Sequence, residues 1–173
     1  MPLLRPLLAL IFVAALAGCG FHLRGAGSSN LPYQTMYISL PETADVNIWL
    51  RRYIRSTGST QVVDDAESAE AIFQQLTNNR QKSILSVNTL GRVREYRLQL
   101  SYTFRVVNQK GQVLVAPNEV TLTRDVTYDD SNILAKNQEE DLLWRDMNND
   151  LVNQIMRRLS IIKPKNPDQE DSE

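Results

Sequence analysis

The chain of 173 residues balances 19 lysines and arginines against 20 aspartates and glutamates, and holds one histidine, one cysteine and 42% hydrophobic residues. A formal charge of -1 gives no general attraction to phosphate backbones, so nucleic-acid binding is not expected, and one His with one Cys exclude a structural zinc site and an intrachain disulfide. The length is that of one domain.

Residues 1–18 read as a lipoprotein signal peptide: Arg5 precedes an apolar run from Leu7 to Ala17 that closes on small residues. As a helix this run would span about 16 Å, half of a hydrocarbon core of roughly 30 Å, so it is no spanning anchor. Leu16-Ala17-Gly18-Cys19 resembles the bacterial lipobox, which implies cleavage before Cys19 and its modification by N-acyl and S-diacylglycerol groups. Several acyl chains meet the requirement for stable membrane attachment. By the same resemblance, Gly20 in place of an aspartate favours the outer membrane. No other cofactor and no metal are expected. Residues 19–30, with Gly25-Ala26-Gly27-Ser28-Ser29-Asn30, read as the lipidated cysteine and a flexible tether. Residues 31–162 form the folded domain, and 163–173, rich in proline and acid, are expected to be a disordered tail.

Within the domain, Thr35 to Leu40 alternates Met36, Ile38 and Leu40 with polar neighbours and stops at Pro41, predicting a short strand. Val46, Trp49, Leu50, Tyr53 and Ile54 then fall at helical spacing, with Arg51, Arg52 and Arg55 toward the negative dipole end and Gly58 as a stop. The arginines read first as a solvated face. Ala69 to Thr77 is a moderately apolar strand, and Arg80 to Val87 begins another, interrupted near Asn88 to Gly91.

The strongest periodicity runs from Tyr96 through Leu98, Leu100, Tyr102 and Phe104 to Val106, alternating with polar odd positions. Asn108-Gln109-Lys110-Gly111 then turns the chain into a partner strand with Val120, Leu122 and Val126 on its apolar side. Asn137 and Glu140 suggest a capping box, and Leu143, Met147, Leu151, Ile155 and Leu159 recur every four residues in a second amphipathic helix. The expected fold is α+β: a two-layer sandwich with two helices on one face of a four-stranded mixed sheet, in the order β-α-β-β-β-α. The sheet's other face meets water or a partner.

The passage Cys19-Gly20-Phe21-His22-Leu23-Arg24 after a lipobox, this order of elements, the Gly91 to Glu95-Tyr96 segment and Leu134-Ala135-Lys136 before Glu139 and Asp141 resemble the LPS-assembly lipoprotein family LptE. The resemblance covers nearly the whole mature domain. It implies a lipid-anchored subunit of the lipopolysaccharide translocon, held at the inner leaflet of the outer membrane, that plugs the LptD β-barrel, helps it assemble and contacts lipopolysaccharide. Lys136 matches the family's lipopolysaccharide-contacting lysine. The family's companion arginine falls at Thr89 here, leaving Arg92 and Arg94, which share a face at the start of a strand, as candidates to replace it. If the loops carrying them meet, the three cations form a phosphate-binding patch. Gln99, Ser101 and Thr123, on the polar hairpin face, are the candidate contacts to the barrel, whose interior is also polar.

Enzyme chemistry has little to work with. His22 has no Ser-Asp companions, the Asp64-Asp65 and Asp129-Asp130 pairs sit at expected turns, and Gly25-Ala26-Gly27 precedes no helix that could cradle a phosphate. The competing function is a free outer-membrane lipoprotein acting as a periplasmic lipid carrier, which would need an apolar cavity.

Overall fold

The structure is a computed structural model and describes residues 30–161. The expected signal peptide, Cys19, His22, most of the expected tether and the C-terminal acidic segment lie outside the described residues. The elements are β1 (Thr35–Ser39), α1 (Asp45–Thr57), β2 (Gln61–Val63), β3 (Ala71–Val87), β4 (Val93–Val107), β5 (Val113–Thr127) and α2 (Ile133–Ile161), with single 3-10 turns at Ala66–Ser68 and Asp130–Asn132. They build one mixed sheet in the order β2-β1-β3-β4-β5.

The α+β class with two helices on one sheet face is as expected, but the sheet has five strands, not four. The extra strand is β2, which pairs in parallel with β1 from Thr35 opposite Gln61 to Tyr37 opposite Val63. Three residues are too few to display alternation, and only pairing makes Gln61–Val63 a strand. A second correction concerns β3, which runs unbroken where the sequence suggests two segments. Asn78 and Asn79 are poor strand formers, yet they stand opposite Tyr102 and Ser101 of β4, and that cross-strand pairing overrides local preference. Bulges near Leu76 and Leu85 absorb the irregularities.

One contiguous core fills the space between helices and sheet. Met36 and Ile38 from β1, Phe73 from β3, the alternating Leu98, Leu100, Tyr102, Phe104 and Val106 of β4, and Val120 of β5 meet Val46, Leu50 and Ile54 of α1 and Met147, Leu151, Ile155 and Leu159 of α2. Phe73 stacks on Phe104 at 5.3 Å between ring centroids. The helices are tied by Tyr53 donating to Asn149 Oδ1 at 3.0 Å and by the buried Asn148, whose amide donates to Asp45 at 3.3 Å and whose Oδ1 accepts from Arg80 at 3.2 Å.

This core occupies only one end of a long sheet. The 17-residue β3 extends about 50 Å at roughly 3.3 Å per residue. Opposite Leu100 and Leu98 its helix-facing side chains are already cationic: Arg80 lies 5.5 Å from the Trp144 ring, and Lys82 lies 4.3 Å from the Tyr96 ring and 2.5 Å from Glu140. The first part of α2 thus rests on cations and aromatic rings instead of aliphatic packing.

Tyr102 is fully buried and its hydroxyl has no hydrogen-bond partner. Burial raises its pKa far above the ordinary phenol value, as it pushes Tyr33, helped by Glu70, up to about 12. An unpaired buried hydroxyl opposes folding, so Tyr102→Phe is expected to leave stability unchanged or to raise it by about 1 kcal/mol in urea unfolding. A loss of that size would mean that the hydroxyl is held by a polar partner.

Candidate functional site

The end of the sheet remote from the core is built by two connections. The first is the β3–β4 turn. Asn88 accepts through its own carboxamide oxygen from the backbone N–H groups of Leu90 and Arg92, each at 2.9 Å, and exchanges backbone bonds with Gly91 and Arg92. Gly91 closes the turn at φ +76, a left-handed conformation that costs an L side chain roughly 1–2 kcal/mol. The β4–β5 turn repeats the design with Asn108 and Gly111. Gly91→Ala is therefore expected to destabilise the domain by about 1 kcal/mol in thermal unfolding, with little change in the core. An unaltered melting temperature would show that the turn relaxes freely.

The second connection carries the chain from β5 into α2. The Tyr128 N–H donates to the Arg94 carbonyl at 2.7 Å, and its ring meets Tyr96 edge-on at 5.3 Å. Asp129 then accepts from the backbone and hydroxyl of Ser131 at 2.9 and 2.8 Å, which starts the 3-10 turn leading into α2. Those two bonds, aided by Lys136, hold the Asp129 carboxyl below the usual carboxylate range. It stays charged in neutral and mildly acid solution.

The two loops meet. Between them lies an open depression of about 480 Å³ lined by Arg92, Arg94, Asn88, Tyr128, Asp129 and Asp130, among others. Arg92 and Arg94 are thus brought into one site, facing two carboxylates that limit its net positive charge. Lys136 adjoins that site without lining it. Its ammonium donates to Thr127 Oγ1 at 2.9 Å and to Glu139 at 2.8 Å, and Thr127 stands opposite Glu95, the residue after Arg94.

Lys136 also corrects the reading of the helix start. It lies in the first turn of α2, not in a loop ahead of it, because the helix begins at Ile133. The expected Asn137–Glu140 capping box does not form. Asp129 initiates the turn, and Glu140 instead binds Lys82 and accepts from Trp144 Nε1 at 3.4 Å.

The same end exposes an apolar rim that sequence periodicity leaves unassigned: Ile84 and Val87 from β3, Leu90 from the turn at 80% exposure, and Ile133 and Leu134 from α2, the latter at 73%. Its sequence signal is the apolar pair Ile133-Leu134, two residues ahead of the Lys136 cation. Among the described residues no cluster of three or more His, Cys, Asp or Glu could hold a metal ion, and no helix is long and apolar enough to cross a membrane.

Gln99, Ser101 and Thr123 lie together on the sheet face away from the helices. Gln99 stands directly opposite both Gln81 and Thr123, and Ser101 opposite Asn79 and Thr121. With Thr77 and Thr103, joined hydroxyl to hydroxyl at 2.9 Å, they form a field of uncharged hydrogen-bonding groups. Charge enters at its two margins, where Arg97 holds Asp125 by two bonds of 2.8 and 3.0 Å and where Glu119, opposite Thr103, accepts from Thr121 at 3.2 Å.

Comparison with known proteins gives a consistent answer. The family model described as LptE, lipopolysaccharide-assembly, matches residues 33–159. The LPS-assembly lipoprotein LptE of Pectobacterium atrosepticum is 27% identical over 150 residues, covering 84% of this chain and 79% of the relative. That of Photorhabdus laumondii is 24% identical, covering 85% and 80%. Among solved structures, an uncharacterized lipoprotein B from Nitrosomonas europaea superimposes with a TM-score of 0.70 at 38% identity, over 82% of this chain and 90% of that one. A minor lipoprotein from Acinetobacter baumannii gives 0.65 at 26% identity, over 79% and 99%. With the family model spanning the whole folded domain, and relatives sharing both sequence and sheet, the chain belongs to the LptE lipopolysaccharide-assembly family.

Proposed function

We propose that this protein is an outer-membrane lipoprotein of lipopolysaccharide assembly, acylated at Cys19, that sits inside the LptD β-barrel with its open sheet face against the lumen. In this reading it carries out no reaction. It supports assembly of the barrel and presents its hairpin end to lipopolysaccharide. The observation that carries the reading is the open face itself. A sheet surface facing bulk water is commonly dressed with charge, whereas Asn79, Gln81, Gln99, Ser101, Thr103, Thr121 and Thr123 offer paired donors and acceptors without charge. Such groups can exchange hydrogen bonds with a polar barrel interior at small desolvation cost.

The far end supports the second half of the proposal. Arg92 and Arg94 in the depression, Lys136 beside it and the rim of Leu90 and Leu134 combine cations with apolar surface, as a phosphorylated glycolipid requires. The depression's polar lining suits a phosphate-bearing headgroup better than the acyl chain that a free lipid carrier would have to enclose. Affinity purification of the tagged full-length lipoprotein from detergent-solubilised outer membranes tests the proposal. A large β-barrel recovered in stable complex is the expected result, and recovery of the lipoprotein alone would overturn it.

A further inference from the structure

The outer face of α1 carries cations and an isoleucine that neither the core nor the barrel-facing sheet uses. Arg51 is committed to the body of the protein, through Asn47 at 3.0 Å and Asp64 at 2.6 Å. Arg52 and Arg55 are exposed, and among the described residues neither forms an ion pair. Ile48, half-exposed at 52%, precedes Arg52 by four residues and Arg55 by seven, so the three share one stripe. Trp49 flanks the stripe, with the Arg52 guanidinium 5.5 Å from its ring. The helix dipole accounts for cations in the last turn. It gives no reason for an exposed isoleucine on the same outward surface, beside the outer edge of a tryptophan whose inner side packs against the core and Tyr53.

The position of this face is as informative as its composition. Tyr33 accepts through its carbonyl from Thr60 Oγ1 at 2.8 Å, and Gln34 accepts from the Gln61 N–H at 2.8 Å. The chain therefore leaves residue 30 beside the C-terminal end of α1, at the opposite end of the sheet from Arg92 and Lys136. The eleven residues from Cys19 to Ser29 reach at most about 40 Å when fully extended, while α1 is about 20 Å long. Anchoring at Cys19 thus keeps the whole helix within reach of the lipid surface, where even a weak contact is favoured by its high effective concentration.

We infer that the Ile48–Arg52–Arg55 face of α1, with Trp49, is a second membrane contact that rests on anionic phospholipid headgroups of the leaflet holding the acyl anchor. The inference rests on the lipoprotein reading above and concerns the acylated protein before it enters the barrel, whose wall would afterwards stand between α1 and the lipid. Arginines draw the helix to the negative surface, while tryptophan and isoleucine settle at the boundary between headgroups and acyl chains. The contact would orient the body on its tether, with the hairpin end directed away from that surface.

The test uses the acylated full-length protein reconstituted in vesicles of phosphatidylcholine with phosphatidylglycerol, some of the lipids carrying brominated acyl chains. The chain has two tryptophans, so Trp144→Phe leaves Trp49 as the reporter and Trp49→Phe leaves Trp144. Trp49 emission is expected to shift to shorter wavelength and to be quenched by brominated lipid, and Trp144 emission to be unaffected. Arg52→Glu with Arg55→Glu should abolish most of the Trp49 quenching while the protein still floats with the vesicles. Unquenched Trp49 in floating vesicles overturns this inference alone. So does equal quenching in pure phosphatidylcholine or in the charge-reversed variant, since the tether would then suffice. A wild-type protein that does not float overturns the anchor reading and this inference together.

Discussion

Replacing Gln99 and Ser101 together by glutamate is expected to abolish recovery of the barrel complex while the isolated domain melts within a degree or two of the wild type. The two residues lie on the open face, half-buried among uncharged neighbours, opposite Gln81, Asn79, Thr121 and Thr123. In the free domain the new carboxylates remain hydrated, and surface changes of this sort shift stability by about 0.5 kcal/mol or less. Against a close-fitting lumen they would be stripped of water without a matched cation, which costs several kcal/mol per charge. Complex yield and melting temperature separate the possibilities. Equal loss of both would mean that the face belongs to the folding core, and an intact complex would mean that the barrel is met elsewhere.

The second large effect is expected at the hairpin end. Arg92→Asp, Arg94→Asp and Lys136→Asp combined should weaken lipopolysaccharide binding by tenfold or more, since each exposed cation near an anionic lipid contributes on the order of 1 kcal/mol. The loss should be larger at low salt, because screening acts over roughly 10 Å at about 0.1 M ionic strength. The geometry adds an opposite-signed control. Glu139 competes for the Lys136 ammonium at 2.8 Å, so Glu139→Gln should free that cation and strengthen binding. Asp129 and Asp130 border the same depression, and Asp129, whose pKa is lowered, opposes an anionic ligand until the solution is acid enough to protonate it. Unchanged binding in the triple variant at low salt would leave this end without an anion-binding role. Weaker binding in Glu139→Gln would show that the ion pair positions Lys136 for its ligand.

Patterns with a short repeat carried most of the architecture in the sequence. The period of two from Tyr96 to Val106 and the four-residue recurrence from Leu143 to Leu159 are direct consequences of backbone geometry. The structure buries Leu98 to Val106 and Met147 to Leu159 accordingly. Gly58, the helix stop, adopts the left-handed conformation at φ 69, because its lack of a Cβ fixes that role locally. The candidate partner face was legible for the same reason, since every second residue of a paired strand must share a side.

Other features depended on contacts between residues far apart in the chain. Gln61–Val63 is a strand only because β1 offers it an edge, and Asn78-Asn79 stays extended only because β4 pairs with it. α2 starts at Ile133 and not at Asn137 because Asp129 captures Ser131 and starts a 3-10 turn that runs directly into the helix, which leaves Asn137 in its second turn. Above all, the sequence supplied Arg92, Arg94 and Lys136 as separate cations, and the Tyr128–Arg94 backbone bond decides that their loops meet. Local composition determined which chemistry each segment can offer. Only the pairing of strands and the landing of α2 on the sheet decided which of those groups stand side by side, because proximity across 40 residues of sequence is set by long-range packing and by no local preference.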